Sequence, residues 1–149
     1  MRIVIQRVTR ASVSIEGRVE SAIEKGMMVL LGVGYADTDD DIDWLVKKTI
    51  NLRIFDDSEG VMNLSVKDVE GSILVVSQFT LMASCKKGNR PSYIHAASPD
   101  VSVPLYERFC KRLSELIGKP VATGVFGADM QVELVNDGPV TIVIDSKDK

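Results

Sequence analysis

The sequence predicts an α+β fold, a sheet or barrel with about two helices packed against it. Three observations carry this. Strand-like segments outnumber helical ones. Only two stretches, near 38–50 and 98–117, place apolar residues at helical spacing. The apolar share is 45% and the aromatic share only 5%, which describes a globular chain with an aliphatic core. A length of 149 residues is one domain's worth of chain. No linker, repeat or low-complexity tract divides it, so a single domain is expected over 1–149.

The elements follow in order. Ile3, Val4, Ile5 and Val8 are β-rich, and Ala11-Ser12-Val13-Ser14-Ile15 alternates with period two. Glu16-Gly17-Arg18-Val19 reads as a turn into a second arm. Gly26 to Gly34 is a strand that is apolar on both faces. Thr38, with Asp41 three residues on, starts a helix in capping-box style. Asp39, Asp40 and Asp41 suit its positive end. Ile42, Leu45, Val46, Thr49 and Ile50 form its apolar face. Asp56 to Gly60 is a turn, and Ser72 to Val76 is another buried strand.

Ser98-Pro99 opens the second helix, since proline is tolerated in a first turn. Leu105, Phe109, Leu113, Leu116 and Ile117 form its stripe, and Gly118 and Pro120 end it. Two last strands, Gln131–Val135 and Val140–Ile144, flank Asn136-Asp137-Gly138-Pro139. A hairpin turn is the plain reading of that tetrapeptide. A rigid Gly-Pro corner that aims two carbonyls in a fixed direction is the other.

Composition limits the chemistry. Two cysteines, Cys85 and Cys110, make neither a disulfide framework nor a four-thiolate zinc site. One histidine, His95, leaves little for a His-rich metal site. No metal and no cofactor are expected. The start lacks a signal-peptide pattern, and the longest apolar run is under half a membrane span. The expected address is the cytoplasm.

The net charge of −3 speaks mildly against a protein that coats nucleic acid. Charge is uneven, however. Residues 84–119 hold seven basic side chains (Lys86, Lys87, Arg90, Arg108, Lys111, Arg112, Lys119) against three acidic ones, a local +4. That stretch is a docking face for an anion or a solvated helix and loop.

Several candidate sites can be weighed. Cys85 and His95 form a conceivable nucleophile–base pair, but nothing orients them. Gly32-x-Gly34 resembles a phosphate loop without its third glycine, and an acidic helix start follows it. Asp39 to Asp43 is better explained as a solvated helix end than as a metal cluster. Two segments stand out. Ser77-Gln78-Phe79-Thr80 places polar groups at the carboxyl end of a buried strand, where they can bond a carbonyl or an oxyanion. Satisfying the local backbone is their other use. Lys86-Lys87-Gly88-Asn89-Arg90, with Tyr93 beside it, suits phosphate contacts plus a stacking platform.

Ser77-Gln78-Phe79-Thr80-Leu81, Lys87-Gly88-Asn89-Arg90-Pro91-Ser92, Thr123 to Met130 and Asn136-Asp137-Gly138-Pro139-Val140-Thr141 occur in one chain, in this order. Together they resemble the D-aminoacyl-tRNA deacylases over nearly the whole length. The segment Met82-Ala83-Ser84-Cys85-Lys86 departs from that family's wording, which would have an aromatic, an acidic residue and a threonine.

The resemblance implies a barrel-like mixed sheet and a homodimer. It implies hydrolysis of the ester that joins a D-amino acid, or misattached glycine, to the tRNA 3′ end. It also implies a cis Gly138–Pro139 corner that enters the partner's site, holds the substrate amine and excludes an L side chain. Arg7 would orient that corner. Ser77, Gln78, Phe79 and Thr80 would line the catalytic pocket, with Phe126, Gly127, Ala128 and Met130 nearby. Lys86, Lys87 and Arg90 would contact the tRNA.

Two mechanisms remain open at this level. Thr80 could be a nucleophile, which needs a base the sequence does not offer. The tRNA's own 2′-hydroxyl could instead assist water, and this second scheme fits the poor inventory of bases better. From another class, a non-catalytic RNA-binding module would use the same basic loop.

Overall fold

The computed structural model describes all 149 residues. Its spine is β1 (Arg2–Ile15), a strand long enough to serve several neighbours. β2 (Arg18–Ile23) folds back on its second half, and β3 (Gly26–Gly32) pairs with its first half, both antiparallel. β8 (Gln131–Asp145) runs antiparallel along the opposite edge of β1, from Asp145 beside Arg2 to Gln131 beside Ser14. β6 (Ser72–Ser77) lies parallel to β3, and β7 (Ala122–Thr123) parallel to β6. Short β4 (Phe55–Asp56) and β5 (Met62–Leu64) form a separate hairpin.

Each parallel step needs a long crossover. α1 (Asp39–Asn51) lies in the first and α2 (Pro99–Ile117) in the second. The two helices cover one face of the sheet. Ile42, Leu45, Val46 and Ile50 of α1 meet Leu105, Phe109 and Leu113 of α2 and Ile3, Ile5, Val29, Leu31, Ile73 and Val75 of the sheet.

The other face is closed by the sheet itself. Val8, Ala11 and Val13 of β1 and Ile23 of β2 curl over Met28, Leu74 and Val76. The Ser21 hydroxyl donates to Thr123 O at 2.7 Å, which ties β2 to β7. The result is the expected barrel-like mixed sheet with two helices.

Local signals account for the helix ends. The Thr38 amide donates to the Asp41 carboxylate at 2.7 Å, and Asp41 N–H donates back to Thr38 O at 3.1 Å. Burial works to raise the Asp41 pKa. Hydrogen bonds from Ser146, Lys147 and the Thr38 amide outweigh it and hold this carboxyl below the usual carboxylate range. α2 stops at Gly118, whose φ of +83° is the left-handed cap that glycine accepts.

Two expectations are corrected. Tyr106, not Leu116, completes the buried face of α2, and Leu116 is 41% exposed. Leu105, Phe109, Leu113 and Ile117, at spacing four, all stay on the core face, and Leu116 near the helix end lies outside it. The segments flanking Asn136–Pro139 are not two arms of a hairpin. Both continue along the same edge of β1, and the tetrapeptide is a bulge within one strand.

The local +4 also divides. Arg108 pairs with Asp39 at 2.9 Å, and Arg112 pairs with Asp43. Arg108 and Arg112 therefore face acids of α1, whereas Lys111 forms no ion pair and the cations of the 86–90 loop are left exposed.

Candidate active site

The site begins where β6 runs out of sheet. Its last ladder bond is Gln78 N–H to Leu31 O, 2.8 Å. A single 3₁₀ turn, Phe79–Met82, then lies down on the end of β3. Gly32 and Gly34 make this seat possible. A Cβ on Gly32 would stand 2.9 Å from Leu81 Cβ and 3.1 Å from Gln78 O. One on Gly34 would stand 3.1 Å from Met82 Cε. The Gly-x-Gly pair is thus a packing seat for the neighbouring turn.

Beside that turn lies a cavity of about 520 Å³. Ser77, Gln78 and Phe79 form one wall. Phe126, Gly127, Ala128 and Met130 form a second, on a turn closed by Ala128 N–H to Val125 O at 3.2 Å. The Phe126 ring stands edge-on to Tyr106 at 5.6 Å. Tyr106 in turn donates its hydroxyl to Val75 O at 3.1 Å. Burial drives this phenol pKa far above its ordinary value, so it stays protonated. The first turn of α2 closes the third side with Pro99 and Ser102. No ionisable side chain lines this cavity.

Thr80 is not on the cavity wall; its hydroxyl accepts a hydrogen bond from the Gln78 side-chain amide. Phe79 is 55% exposed, with its ring 5.0 Å from Tyr93 in an edge-on contact.

Arg7, Gly138 and Pro139 come together elsewhere, at the middle of β1 and β8. Gln6 pairs with Thr141 and Val8 with Asn136, so Arg7 alone faces the bulge. Its guanidinium is buried, donating to Asp137 O at 2.9 Å and to Ile54 O at 2.7 Å. Asp56 and Asp137 carboxylates lie 3.4 and 3.5 Å away. The Gly138–Pro139 peptide is cis, and both residues are exposed. Gly138 has φ +134°, and a Cβ there would meet Val140 N at 3.0 Å and Arg7 Nη2 at 3.2 Å.

A family model described as D-Tyr-tRNA(Tyr) deacylase matches residues 4–145. The chain belongs to the D-aminoacyl-tRNA deacylase family. A D-aminoacyl-tRNA deacylase of Bacteroides fragilis is 66% identical over 149 residues, covering 100% of this chain and 99% of the relative. One from Porphyromonas gingivalis is 64% identical with the same coverage. Among solved structures, one described as c-Myc DNA unwinding element binding protein superposes with TM-score 0.93 at 42% identity, covering 97% of this chain and 98% of that one. Another, described as a probable eukaryotic D-amino acid tRNA deacylase, has TM-score 0.82 at 20% identity, covering 96% and 97%, and shares the fold. The chain is thus a hydrolase of the D-aminoacyl-tRNA deacylase family, and a tRNA substrate follows from that membership.

Within this deacylase fold the predicted residues separate into groups. Seven surround the cavity, Thr80 lies behind its wall, and Arg7, Gly138 and Pro139 form the bulge outside it. Lys86, Lys87 and Arg90 are exposed on a loop closed by mutual Ser84–Ser92 backbone bonds of 2.8 and 2.9 Å. Cys85 and His95 are also exposed and line a different cavity, on the far side of the Phe79–Met82 turn from the Ser77–Gln78 wall.

Sequence reasoning missed Val76, Ala97, Pro99, Ser102 and Val132 as lining residues. The Ser98-Pro99 start signalled only that a helix begins. That it begins against the end of β6 is set by the crossover, which no local pattern records. No helix is long and apolar enough to cross a membrane.

Proposed function

We propose that the cavity takes the D-aminoacyl ester of the terminal tRNA adenosine, and misattached glycine, in the cytoplasm, and that the substrate supplies its own proton-transfer group. The observation that carries this reading is the absence of any ionisable side chain on the cavity wall. General acid–base catalysis needs a positioned group with a suitable pKa. Thr80 has an amide for its partner where a nucleophile needs a base. The 2′-hydroxyl beside the ester assists the attacking water. Water adds to the ester carbonyl, and the ribose 3′-oxygen leaves with a proton.

The protein contributes position and charge stabilisation. The first amides of a helical turn have no partner inside that turn. That of Phe79, which lines the cavity, serves as an oxyanion donor in this reading, while Ser77 and Gln78 orient the ester.

Chirality is read by a second copy of the chain. The exposed Gly138–Pro139 bulge enters the partner's cavity, its carbonyls accept from the substrate α-ammonium, and an L side chain has no room. Two features support the homodimer. The bulge is held rigid by buried Arg7 yet lies outside its own chain's cavity. The outer edge of β8 is unpaired and exposes Val132, Val135 and Val143.

The test is ester loss from D-Tyr-tRNA, Gly-tRNA and L-Tyr-tRNA at catalytic enzyme concentrations. D-Tyr-tRNA and Gly-tRNA are expected to be cleaved and L-Tyr-tRNA spared. A tRNA ending in 2′-deoxyadenosine should lose at least 100-fold in rate. Equal cleavage of the deoxy substrate would refute the 2′-hydroxyl scheme, and a monomer at assay concentration would refute the shared site.

A further inference from the structure

We infer that the cavity at the amino-terminal end of β1 is a second nucleotide subsite, which takes the single-stranded RNA immediately 5′ of the terminal adenosine. This rests on the deacylase reading and extends it to a surface outside the Ser77–Gln78 cavity.

The first argument is placement. The second cavity, of about 630 Å³, is large enough for a nucleotide. Its inner wall is Met82 to Lys86, which continues directly from the Phe79–Met82 turn that walls the catalytic cavity. One short turn therefore separates the two cavities. Four residues of 3₁₀ helix span roughly 8 Å, and stacked nucleotides in a strand are ~3.4 Å apart. A strand whose end occupies the first cavity reaches the second within two or three nucleotides. Arg2 clamps this wall, donating to Leu81 O at 2.7 Å.

The second argument is chemistry. Single-stranded RNA is bound by aromatic platforms beside cations that follow the phosphates. Tyr35 and Ile94, 59% and 74% exposed, rim the cavity, and the Phe79–Tyr93 pair stands between it and the catalytic one.

The acids at the cavity are already matched. Asp37 is bonded by the Met1 ammonium and lies 3.6 Å from Lys147, and Asp145 is paired with Arg2 at 2.8 Å. Lys86 lines the same cavity and forms no ion pair, and Lys87 and Arg90 follow on the loop. The uncompensated charge is positive, as a phosphate chain requires.

The experiment compares D-tyrosyl esters of adenosine, of the dinucleotide CpA and of the trinucleotide CpCpA. In the wild-type chain kcat/KM is expected to rise at least tenfold from the first to the last. In Tyr35→Ala and Lys86→Ala, both exposed positions, the ratio of trinucleotide to adenosine ester is expected to fall below threefold. A ratio that stays intact while both rates drop would show a structural effect and overturn the proposal. So would a wild-type rate indifferent to length. Polyphosphate of equal charge should compete more weakly than unacylated CpCpA, and equal competition would also overturn a subsite that reads bases. Failure to hydrolyse full-length D-Tyr-tRNA is a separate result that removes the deacylase reading itself.

Discussion

Adding one methyl group at Gly32 tests whether the seat under the Phe79–Met82 turn sets catalytic geometry. The new Cβ would lie 2.9 Å from Leu81 Cβ, 3.1 Å from Gln78 O and 3.3 Å from Met82 Sδ. Carbon pairs are comfortable near 3.5–4.0 Å, so the turn must rise by about 0.6 Å. Met82 can swing away, but Gln78 O is backbone and accepts from Leu81 N–H. Overpacking of this kind costs about 1–3 kcal/mol. Restricting the unfolded chain returns about 0.4–1 kcal/mol.

The net loss in Gly32→Ala is therefore about 1–2 kcal/mol, or about 2–8 °C in Tm for a chain of this size. A 1 Å misplacement of reacting groups can cost ~100-fold, so a shift near half that is expected to lower kcat/KM about tenfold. Thermal unfolding and D-Tyr-tRNA hydrolysis measure the two effects. Gly60→Ala is the control. Its site has φ +75° with nothing within 4 Å of the added Cβ, so about 1 kcal/mol is lost with normal activity. If Gly32→Ala stayed within twofold of wild type in kcat/KM, the seat would not position the site.

Other substitutions probe other links. Thr80→Ala should keep most activity in single-turnover assays, because its hydroxyl has no base; complete loss with intact tRNA binding would favour a threonine nucleophile. Arg7→Ala should destabilise the chain by about 2–4 kcal/mol in denaturant melts, since Asp137 O and Ile54 O lose their buried donor. Cys85 should react quickly with a thiol reagent at pH 7.5, while Cys110, its pKa pushed up to about 12 by burial, should react only on unfolding.

Acid should weaken the fold through Asp41 and Asp145. Both have folded pKa values below the unfolded one, so their stabilisation is complete above about pH 4 and is lost as pH falls through the folded values. Lys147, raised by its hydrogen bond to Asp41, acts oppositely, with stability present below its ordinary pKa and lost only as pH rises through the folded one. Asp41→Asn should flatten the acid limb of Tm against pH.

The two helices were legible because each carries its own start, stripe and stop. Thr38, Asp41 and Gly118 act within a turn of themselves. The strands Gly26–Gly34 and Ser72–Val76 were legible as two-faced apolar runs. Of the two readings of 136–139, the hairpin turn fails for a physical reason. Asn, Asp, Gly and Pro favour a chain reversal by local conformation, and only pairing with β1 on both sides keeps β8 on the same edge in one direction. Ser77 to Phe79 could be chosen as a strand end. Pro99 and Ser102 could not, because their place at the cavity depends on where a crossover helix lands.

The same bulge bears on how the molecule behaves when crowded. A fifteen-residue strand with a free edge and exposed valines is a template on which further chains can stack without limit. Asn136 to Thr141 breaks that template into two short runs with a kink between them, and a regular foreign strand cannot follow it end to end. Association along this edge is thereby steered toward a finite partnership and away from fibrous growth.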